Sequence, residues 1–338
     1  MFALERHWQR LTPVSAALLP LSWVFRALVW LRRVLYRTGL LRSISLPAPV
    51  IVVGNISVGG TGKTPLVIWL ADFLRQAGYR PGIVTRGYRG LSPVWPVAVT
   101  AESSANLVGD EAVLLARRAG CPVMAGADRV ESARGLIEQG CNVVVSDDGL
   151  QHYRLRRDIE IAVIDGARRF GNGLCLPAGP LREPVARLES VQLRVANGVP
   201  QAGELGMTLT ASGFCNLAEP GLHAAPEQTP RQFTAQFGNT PVHAVAGIGN
   251  PERFFTTLRG LGLTVIPHPF PDHHAFQAGE LEFGDKLPLI LTEKDAVKCQ
   301  HFATARCWVL AVDARPDARL GEQILQYLKE KSVGQEAA

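Results

Sequence analysis

The chain has 338 residues, of which 47% are hydrophobic and 19% are charged, with a formal net charge of +5. That length is enough for one large or two medium hydrophobic cores, and we expect two domains. Seven arginines and one glutamate give residues 1–42 a charge of +6, so the rest of the chain carries −1, which excludes a basic, nucleic-acid-binding body. The six cysteines form no Cys-x-x-Cys pair, which indicates reduced thiols rather than a zinc site or a disulfide framework.

The N-terminal segment, residues 1–42, interleaves its arginines with tryptophans and aliphatic side chains. Its longest run without charge, 11–25, has 15 residues and two prolines, whereas a bilayer span needs about 20 apolar residues. Arginines on both sides of the apolar run, and no clear cleavage site, disfavour a signal peptide. We predict a helix that lies at an anionic membrane surface, and a helix docked on the protein's own core is the alternative.

A glycine-rich stretch follows the apolar run 50–53 and reads Gly-Asn-Ile-Ser-Val-Gly-Gly-Thr-Gly-Lys-Thr from Gly54 to Thr64. A strand that enters a glycine turn and leaves as a helix directs backbone N–H groups and the positive helix end at one point, which favours a polyanion. The match to G-x-x-x-x-G-K-[ST] is incomplete, because Ser57 stands where the pattern has glycine. We predict Lys63 at the β- and γ-phosphates and Thr64 at Mg²⁺. The predicted nucleotide-binding residues are Ser57, Val58, Gly59, Gly60, Thr61, Gly62, Lys63 and Thr64.

Strand-like and helix-like patterns alternate beyond this point, which predicts an α/β fold with a parallel sheet covered by helices on both faces. Strands are predicted at 50–53, 82–85, 123–125, 143–146 and 159–164, and helices at 65–77, 110–119 and 128–139. A second alternating block has predicted elements at 242–246, 251–261, 263–267, 287–291, 307–312 and 320–331. The predicted units are a membrane-associating segment at 1–42, a phosphate-binding lobe at 43–197, a linker or small β excursion at 198–240, a smaller α/β lobe at 241–331 and a frayed tail at 332–338.

Polar side chains follow several predicted strands, at the sheet edge where ligands of such folds bind. Arg86 and Arg89 lie in an Arg-Gly-Tyr-Arg-Gly loop, which could grip a phosphate or form a solvated turn. Asp110 opens a helix, so helix capping would explain it as well as catalysis. Asp147 and Asp148 follow a buried strand, where two adjacent carboxylates would repel each other without a cation or donors, and they indicate a magnesium-binding element.

The second block carries Asp272, His273 and His274 in one proline-flanked loop. One of these imidazoles could orient or deprotonate a hydroxyl with help from a carboxylate. A pair of loop histidines with satisfied hydrogen bonds is the alternative.

Taken in order, these motifs closely resemble those of the tetraacyldisaccharide 4′-kinase family. They are the glycine-rich loop, Gly-Asp-Glu at 109–111, Asp-Asp-Gly-Leu-Gln-His at 147–152, Leu-Arg-Glu-Pro at 181–184, Asp-His-His at 272–274 and Thr-Glu-Lys-Asp at 292–295. The resemblance covers essentially the whole chain, and in that family Ser or Thr commonly occupies the place of Ser57. It implies two α/β lobes, the first a P-loop kinase-type lobe, with the substrate between them.

The resemblance also implies an activity: transfer of the γ-phosphoryl group of ATP, with Mg²⁺, to the 4′-hydroxyl of a tetraacylated glucosamine disaccharide 1-phosphate. The product would be lipid IVA, made at the cytoplasmic face of the bacterial inner membrane. The partners expected are the acylated lipid and an anionic membrane surface, without nucleic acid, and we expect a monomer.

The same resemblance implies roles for individual residues. Lys63 would hold the β- and γ-phosphates, while Thr64, Asp147 and Asp148 would lie at the metal. Asp110 would be the catalytic carboxylate, paired with a histidine that we predict to be His273. The residues implied in supporting roles are Glu111, Glu183, Arg86, Arg89 and His274.

A P-loop switch ATPase or GTPase that regulates a partner at the membrane is the alternative function. Switch ATPases with a lysine before the paired glycines would need it where this chain has Val58. The Asn-Lys-x-Asp motif that recognises guanine is absent. A membrane-bound module without chemistry would explain residues 1–42 but would leave the ordered acidic motifs without a role.

Overall fold

One sheet of twelve strands runs through the part of the chain that the computed structural model describes, residues 2–218 and 226–336. The strands are β1 Val50–Gly54, β2 Pro81–Thr85, β3 Val97–Val99, β4 Val123–Ala125, β5 Val143–Asp147, β6 Ile159–Asp165, β7 Leu193–Asn197, β8 Leu205–Asn216, β9 Val242–Ala246, β10 Val265–Pro269, β11 Leu289–Thr292 and β12 Cys307–Pro316. Their order is β10-β9-β11-β12-β8-β7-β6-β1-β5-β2-β4-β3. The pairs β8–β12 and β3–β4 are antiparallel, and the other neighbours are parallel.

Helices connect most of these strands. They are α1 Phe2–Glu5, α2 Pro13–Ala17, α3 Leu19–Arg37, α4 Lys63–Gln76, α5 Ala105–Val108, α6 Asp110–Arg118, α7 Arg129–Glu138, α8 Pro230–Phe237, α9 Pro251–Gly260, α10 Glu293–Cys299 and α11 Ala318–Glu336. Short 3₁₀ helices occur at Val185–Ser190, Ala278–Leu281 and Gln300–Phe302.

The predicted α/β fold class is confirmed. The five strands and three helices predicted between residues 50 and 164 are all present, with ends shifted by at most two residues. They were predictable because β1, β2, β4, β5 and β6 are apolar runs buried along their whole length, as expected of parallel strands covered on both faces. The prediction missed β3, β7, β8 and helices α5, α8 and α10.

Residues 198–240 require a correction, because their central part is neither a linker nor a small excursion. Strand β8 is twelve residues long and pairs with β7 on one side and β12 on the other, so it joins the two halves of the sheet. Its side chains alternate only weakly between buried and exposed positions, which explains why the sequence pattern did not reveal it. Helix α8 also lies in this segment, and residues 219–225 fall outside the described part.

Helix α11 also differs from the predicted division into lobes. Leu320, Ile324 and Leu328 are buried in the same apolar cluster as Ile51 of β1 and Leu66 of α4. The last helix of the predicted smaller lobe therefore completes the core beside the glycine-rich loop. The backbone of α11 is helical to Glu336, so only residues 337–338 of the predicted frayed tail lie outside the described part.

The N-terminal segment is docked on the protein through one face only. The indole of Trp8 donates to the Pro177 carbonyl at 3.0 Å, and the Ser22 hydroxyl donates to the Cys175 carbonyl at 2.7 Å. Phe25 packs against the core on the α7 side of the sheet. The rest of α3 carries exposed apolar side chains at Leu21, Trp23, Val24, Leu28, Trp30 and Leu31. Across the described residues, every helix is too short or too polar to span a bilayer.

Candidate active site

The glycine-rich loop connects β1 to α4 at the carboxyl end of the sheet. Gly62 has φ +95°, and a side chain there would approach Asn197 Nδ2 to 2.6 Å. That amide donates to the Thr61 carbonyl at 3.0 Å and fixes the end of the loop. Ser57 does not have a positive φ and forms a backbone bridge to Leu181. The position therefore does not need glycine, which accounts for the departure from the general pattern.

An arginine that the sequence analysis did not select lies over this loop. Arg168 donates to the Gly60 carbonyl at 3.0 Å and to the Gly249 carbonyl at 3.2 Å, and its Nε donates to Asp165 at 3.0 Å. Arg253 of α9 also donates to Asp165, at 2.9 Å. The loop is thereby tied to the segment that leads into α9 in the second half of the chain.

Two adjacent carboxylates lie at the end of β5, which neighbours β1 in the sheet: Asp147 is its last residue and Asp148 follows it. Asp148 has φ +47°, and its carboxylate lies 3.5 Å from Lys63 Nζ and 2.8 Å from Arg182 Nη1. Burial alone would raise the pKa of Asp148, but the charges of Lys63 and Arg182 outweigh it and hold that pKa well below its usual range. Burial, followed by the negative charges of Glu111 and Asp148, raises the pKa of Asp147 to about 7.

These carboxylates can accept a cation. Oδ1 of Asp147 is buried and accepts no hydrogen bond from the described residues, and Oδ1 of Asp148 is buried with the Lys63 ammonium group 3.5 Å away as its ion-pair partner. Within the same part of the chain, no group of three or more His, Cys, Asp or Glu side chains is arranged to hold a metal alone. That donor set fits Mg²⁺, which proteins commonly bind through one or two carboxylates together with waters and substrate phosphates.

Besides the carboxylates of β5, the site contains an acid–imidazole pair. Asp110, at the start of α6, contacts His273, in the loop after β10. His273 Nδ1 lies 3.1 and 3.0 Å from the two carboxylate oxygens of Asp110. His273 has φ +59°, and its carbonyl accepts from Arg89 at 2.8 Å, while the Tyr88 ring meets the imidazole edge-on at 5.0 Å. The geometry brings together the predicted pair and one of the two predicted loop arginines.

Lys294 belongs to the Thr-Glu-Lys-Asp motif but was not predicted as a site residue, and it contacts the imidazole of this pair. Its Nζ is 3.0 Å from Glu111 Oε1, 3.2 Å from Asp272 Oδ1 and 3.0 Å from His273 Nε2. Burial opposes the charge of Lys294, but the surrounding carboxylates Glu111, Asp110 and Asp272 raise its pKa above the ordinary value. The only sequence signal for Lys294 was its position just after β11, at a strand end like the other polar motifs.

Asp110 is ionised under ordinary conditions despite being only 6% exposed. Burial would raise its pKa, but the hydrogen bond from His273 and the charges of Lys294 and Lys298 together lower it below the ordinary value. Glu111, the next residue, contributes to the electrostatics of both Lys294 and Asp147. The Asp110–His273 pair and the β5 carboxylates are thus within electrostatic range of one shared residue.

Three other predicted residues lie apart from this pair. His274 Nε2 is 2.9 Å from Glu280 and the ring packs near Phe270. Arg86 is exposed and forms no hydrogen bond or ion pair with the described residues, and nothing in the structure assigns it a partner. Glu183, predicted as a supporting acid, is 1% exposed, and its carboxylate contacts Gln151, Tyr153 and Arg187 rather than Lys63 or Asp110.

A hydrogen-bond network around Glu183 reaches the backbone at the start of the glycine-rich loop. Gln151 Nε2 donates to Glu183 at 2.9 Å and to the Asn55 carbonyl at 3.1 Å. The Tyr153 hydroxyl donates to Oε1 of Glu183, and Arg187 Nε lies 3.7 Å from Oε2 of the same carboxylate. Glu183 therefore acts on the loop through Gln151 in this structure.

Three features define a P-loop phosphotransferase. They are the strand, glycine loop and helix with Lys63 at the helix start, the adjacent carboxylates on the neighbouring strand, and the acid–imidazole pair next to Glu111. A profile of the tetraacyldisaccharide-1-P 4′-kinase family matches residues 14–329. The chain belongs to this family and is a kinase of lipid A biosynthesis. The alternative of a switch ATPase or GTPase is not favoured.

Individual relatives agree with this assignment over nearly the full length. The tetraacyldisaccharide 4′-kinase of Alkalilimnicola ehrlichii is 54% identical over 327 residues, which cover 96% of each chain. That of Nitrosococcus oceani is 51% identical over 326 residues, which cover 96% of this chain and 94% of the relative. The crystal structure of LpxK from Aquifex aeolicus, described as an "apo" form in complex with ATP, is similar with a TM-score of 0.76 at 28% identity, covering 93% of this chain and 99% of that one.

Proposed function

We propose that this chain transfers the γ-phosphoryl group of ATP to the 4′-hydroxyl of a tetraacylated glucosamine disaccharide 1-phosphate, with Mg²⁺, and that the product is lipid IVA. The observation that carries the proposal is the contact of His273 Nδ1 with Asp110 at 3.0 Å, next to Glu111, whose charge helps to raise the pKa of Asp147 at the end of β5. A switch protein that acts on a partner would leave the Asp110–His273 pair without an acceptor to act on, whereas a kinase needs a base for the acceptor hydroxyl. The ATP complex of the Aquifex aeolicus relative supports the identity of the nucleotide.

The nucleotide would lie with its phosphates in the loop from Ser57 to Thr64, whose backbone N–H groups and helix terminus favour negative charge. Lys63 now contacts Asp148, at 3.5 Å, and it would turn its ammonium group to the β- and γ-phosphates. Thr64, Asp147 and Asp148 would hold Mg²⁺, which supplies positive charge that offsets the developing charge on the phosphates. Asp147 has a buried oxygen that accepts no hydrogen bond, and the buried Oδ1 of Asp148 would lose its Lys63 partner when that side chain turns to the phosphates, which supports this placement.

Asp110 would accept the proton of the 4′-hydroxyl. Its lowered pKa keeps the carboxylate ionised and able to accept, and the contact with His273 fixes its orientation. Arg89, which donates to the His273 carbonyl at 2.8 Å, would hold the loop that positions the imidazole. Most of the remaining catalysis would come from positioning and charge, as is general for phosphoryl transfer.

The acceptor's acyl chains would stay in the bilayer while its sugar reaches the active site. The exposed tryptophans and leucines of α3, together with the arginines of residues 1–42, support a peripheral attachment at the cytoplasmic face of the inner membrane. Because the N-terminal segment is docked through Trp8, Ser22 and Phe25, the attached membrane would be held in a fixed position relative to the active site.

The direct test is a product assay. Purified full-length protein is incubated with ATP, Mg²⁺ and the acylated disaccharide 1-phosphate, and the lipid product is analysed by tandem mass spectrometry. We expect a second phosphate on the 4′ position, and no product from Lys63→Met. Hydrolysis of ATP without phosphorylated lipid would contradict the proposal and favour the switch alternative.

A further inference from the structure

We propose that Lys294 is a positioning residue that fixes the proton of His273 on Nδ1, facing Asp110. The proposal deepens the proposed function and rests on it, because it states how the proton is distributed in the acid–imidazole pair before the acceptor binds. Two kinds of observation carry it: the three short contacts of the ammonium group, and the position of the carboxylate on the opposite side of the ring.

The first step is a count of donors around Lys294. An ammonium group has three N–H donors and no acceptor, so a hydrogen bond with an imidazole nitrogen requires that nitrogen to be unprotonated. Lys294 Nζ lies 3.0 Å from Glu111, 3.2 Å from Asp272 and 3.0 Å from His273 Nε2, so each donor has one acceptor. The side chain is 16% exposed and remains charged, because three carboxylates surround it. Nε2 of His273 therefore carries no proton.

The second step concerns the other side of the ring. The Asp110 carboxylate is ionised and can only accept hydrogen bonds, so the nitrogen 3.0 Å away must donate. Nδ1 of His273 therefore carries the proton. The two constraints come from different elements, α6 and α10, and both select the same tautomer.

Several other groups face the pair, and of these Asp272 Oδ1 lies 3.8 Å from Nε2, beyond hydrogen-bond distance. Lys298, one turn further along α10, lies 3.9 Å from Asp110 and 2.7 Å from Asp295, so its charge favours the ionised carboxylate but does not contact the imidazole. Tyr88 contacts the ring through its edge, and Arg89 contacts the His273 backbone. Among these residues only Lys294 reaches Nε2 with a donor.

The consequence for the reaction is a division of roles within the pair. With Nε2 engaged by an ammonium group, His273 acts as a hydrogen-bond donor that orients Asp110, and Asp110 is the group left to accept the acceptor's proton. Lys294 would act only through His273 and Glu111, without contact to the nucleotide or lipid. Its loss would leave Nε2 facing Asp272 without the ammonium group, so that Nε2 can carry a proton while Nδ1 still donates to Asp110.

A spectroscopic test separates this role from general support of the fold. Full-length protein labelled with ¹⁵N-histidine is examined by long-range ¹H–¹⁵N NMR, and the His273 signal is assigned by its loss in His273→Asn. We expect a protonated Nδ1 and an unprotonated Nε2 in the unaltered protein and in Lys298→Met, a matched control in the same helix. In Lys294→Met we expect Nδ1 to keep its proton and Nε2 to gain one in part of the molecules. A proton on Nε2 in the unaltered protein, or an Nε2 that stays unprotonated throughout in Lys294→Met, would overturn the proposal.

Kinetics provide the second readout. Lys294→Met should lower kcat by about 10²-fold through the misoriented pair while the KM for ATP stays within about twofold, and Lys294→Arg should recover at least a tenth of the activity because it keeps a donor. Lys286→Met, at an exposed position, is the control. A kcat for Lys294→Met equal to that of the control would refute the positioning role. The NMR result does not depend on the acceptor, so a wrong assignment of the substrate leaves the tautomer test intact.

Discussion

Asp110 could serve in helix capping or in catalysis, and its neighbours in the structure show how the two roles are related. The N-cap position of α6 is occupied by Gly109, with φ +91°, and makes no side-chain cap. The Asp110 carboxylate accepts from the backbone N–H of Glu111 at 2.9 Å and also contacts His273. Support of the first helical turn and contact with the imidazole therefore coexist, and only the second is needed for catalysis.

Replacing Asp110 with Asn should separate these two contributions. Asp110→Asn keeps the shape of the side chain but cannot take a proton, so we expect kcat to fall by about 10²-fold or more with little change in the KM for ATP. The measurement is steady-state formation of the phosphorylated lipid. Asp72→Asn, at an exposed helical position, is the control. A near-normal kcat would limit Asp110 to a structural role.

His152, in the motif after β5, should make stability depend on pH. Burial, with Arg129 and Arg157 nearby, lowers the pKa of His152 to about 4. Between pH 6.5 and about 4 the unfolded chain therefore binds a proton that the folded chain does not, so the free energy of unfolding falls as the pH falls through this window. Urea unfolding at pH 7.5 and 5 should show a smaller loss of stability in His152→Gln than in the unaltered protein. Equal losses would contradict the burial of a neutral imidazole.

At the scale of elements, α3 combines two surfaces whose chemistry differs. One face is docked, with Ser22 only 3% exposed, while Trp23 and Trp30 are 63% and 64% exposed. An apolar face of this kind is unusual on a protein surface and is typical of contact with a membrane or a partner. The predicted interfacial helix and the alternative of a docked helix thus each describe one side of α3, and the membrane contact stays a prediction.

The exposed face can be changed without touching the docked one. The double variant Trp23→Glu/Trp30→Glu should lose binding to liposomes that contain anionic lipid, because it removes aromatic side chains and adds negative charge at the same surface. Co-sedimentation measures the bound fraction. Val199→Glu, at a position 79% exposed outside this segment, is the control. Unchanged binding of the double variant would refute the interfacial placement of α3.

At the scale of the whole molecule, the two predicted lobes share one sheet and part of one core. Strand β8 connects β7 to β12, and α11 returns from the end of the chain to pack with β1 and α4. The second half of the chain also supplies His273 and Lys294 to the site whose loop and Asp110 come from the first half. The glycine-rich loop and the acid–base pair therefore depend on the same long-range packing.

The contribution of α11 can be measured at one buried side chain. Ile324 is fully buried, and Ile324→Ala should lower the free energy of unfolding by about 2–5 kcal/mol, because it leaves a cavity beside the α4 core. Urea unfolding measures the free energy. Native-state hydrogen exchange is a second measurement, in which amides of α4 should lose protection together with those of α11. Val199→Ala is the control. Protection of α4 that is unaffected by the substitution would show that α11 is energetically separate.

The sequence by itself determined the α/β class, the glycine-rich loop and the order of the family motifs. These features depend on local signals: apolar runs buried in parallel strands, turn-forming glycines, and charged residues placed just after a strand. The incomplete match at Ser57 was explained by the structure, since the backbone there does not require glycine.

Only the tertiary structure decided which side chains meet. It brought His273, rather than His274, to Asp110 across 163 positions, and Lys294 to Glu111 across 183 positions. It also placed Glu183 in a network beneath the loop, β8 in the middle of the sheet and α11 in the first core. Contacts between residues so far apart are fixed by the packing of whole elements, and the pattern along any one segment does not contain them.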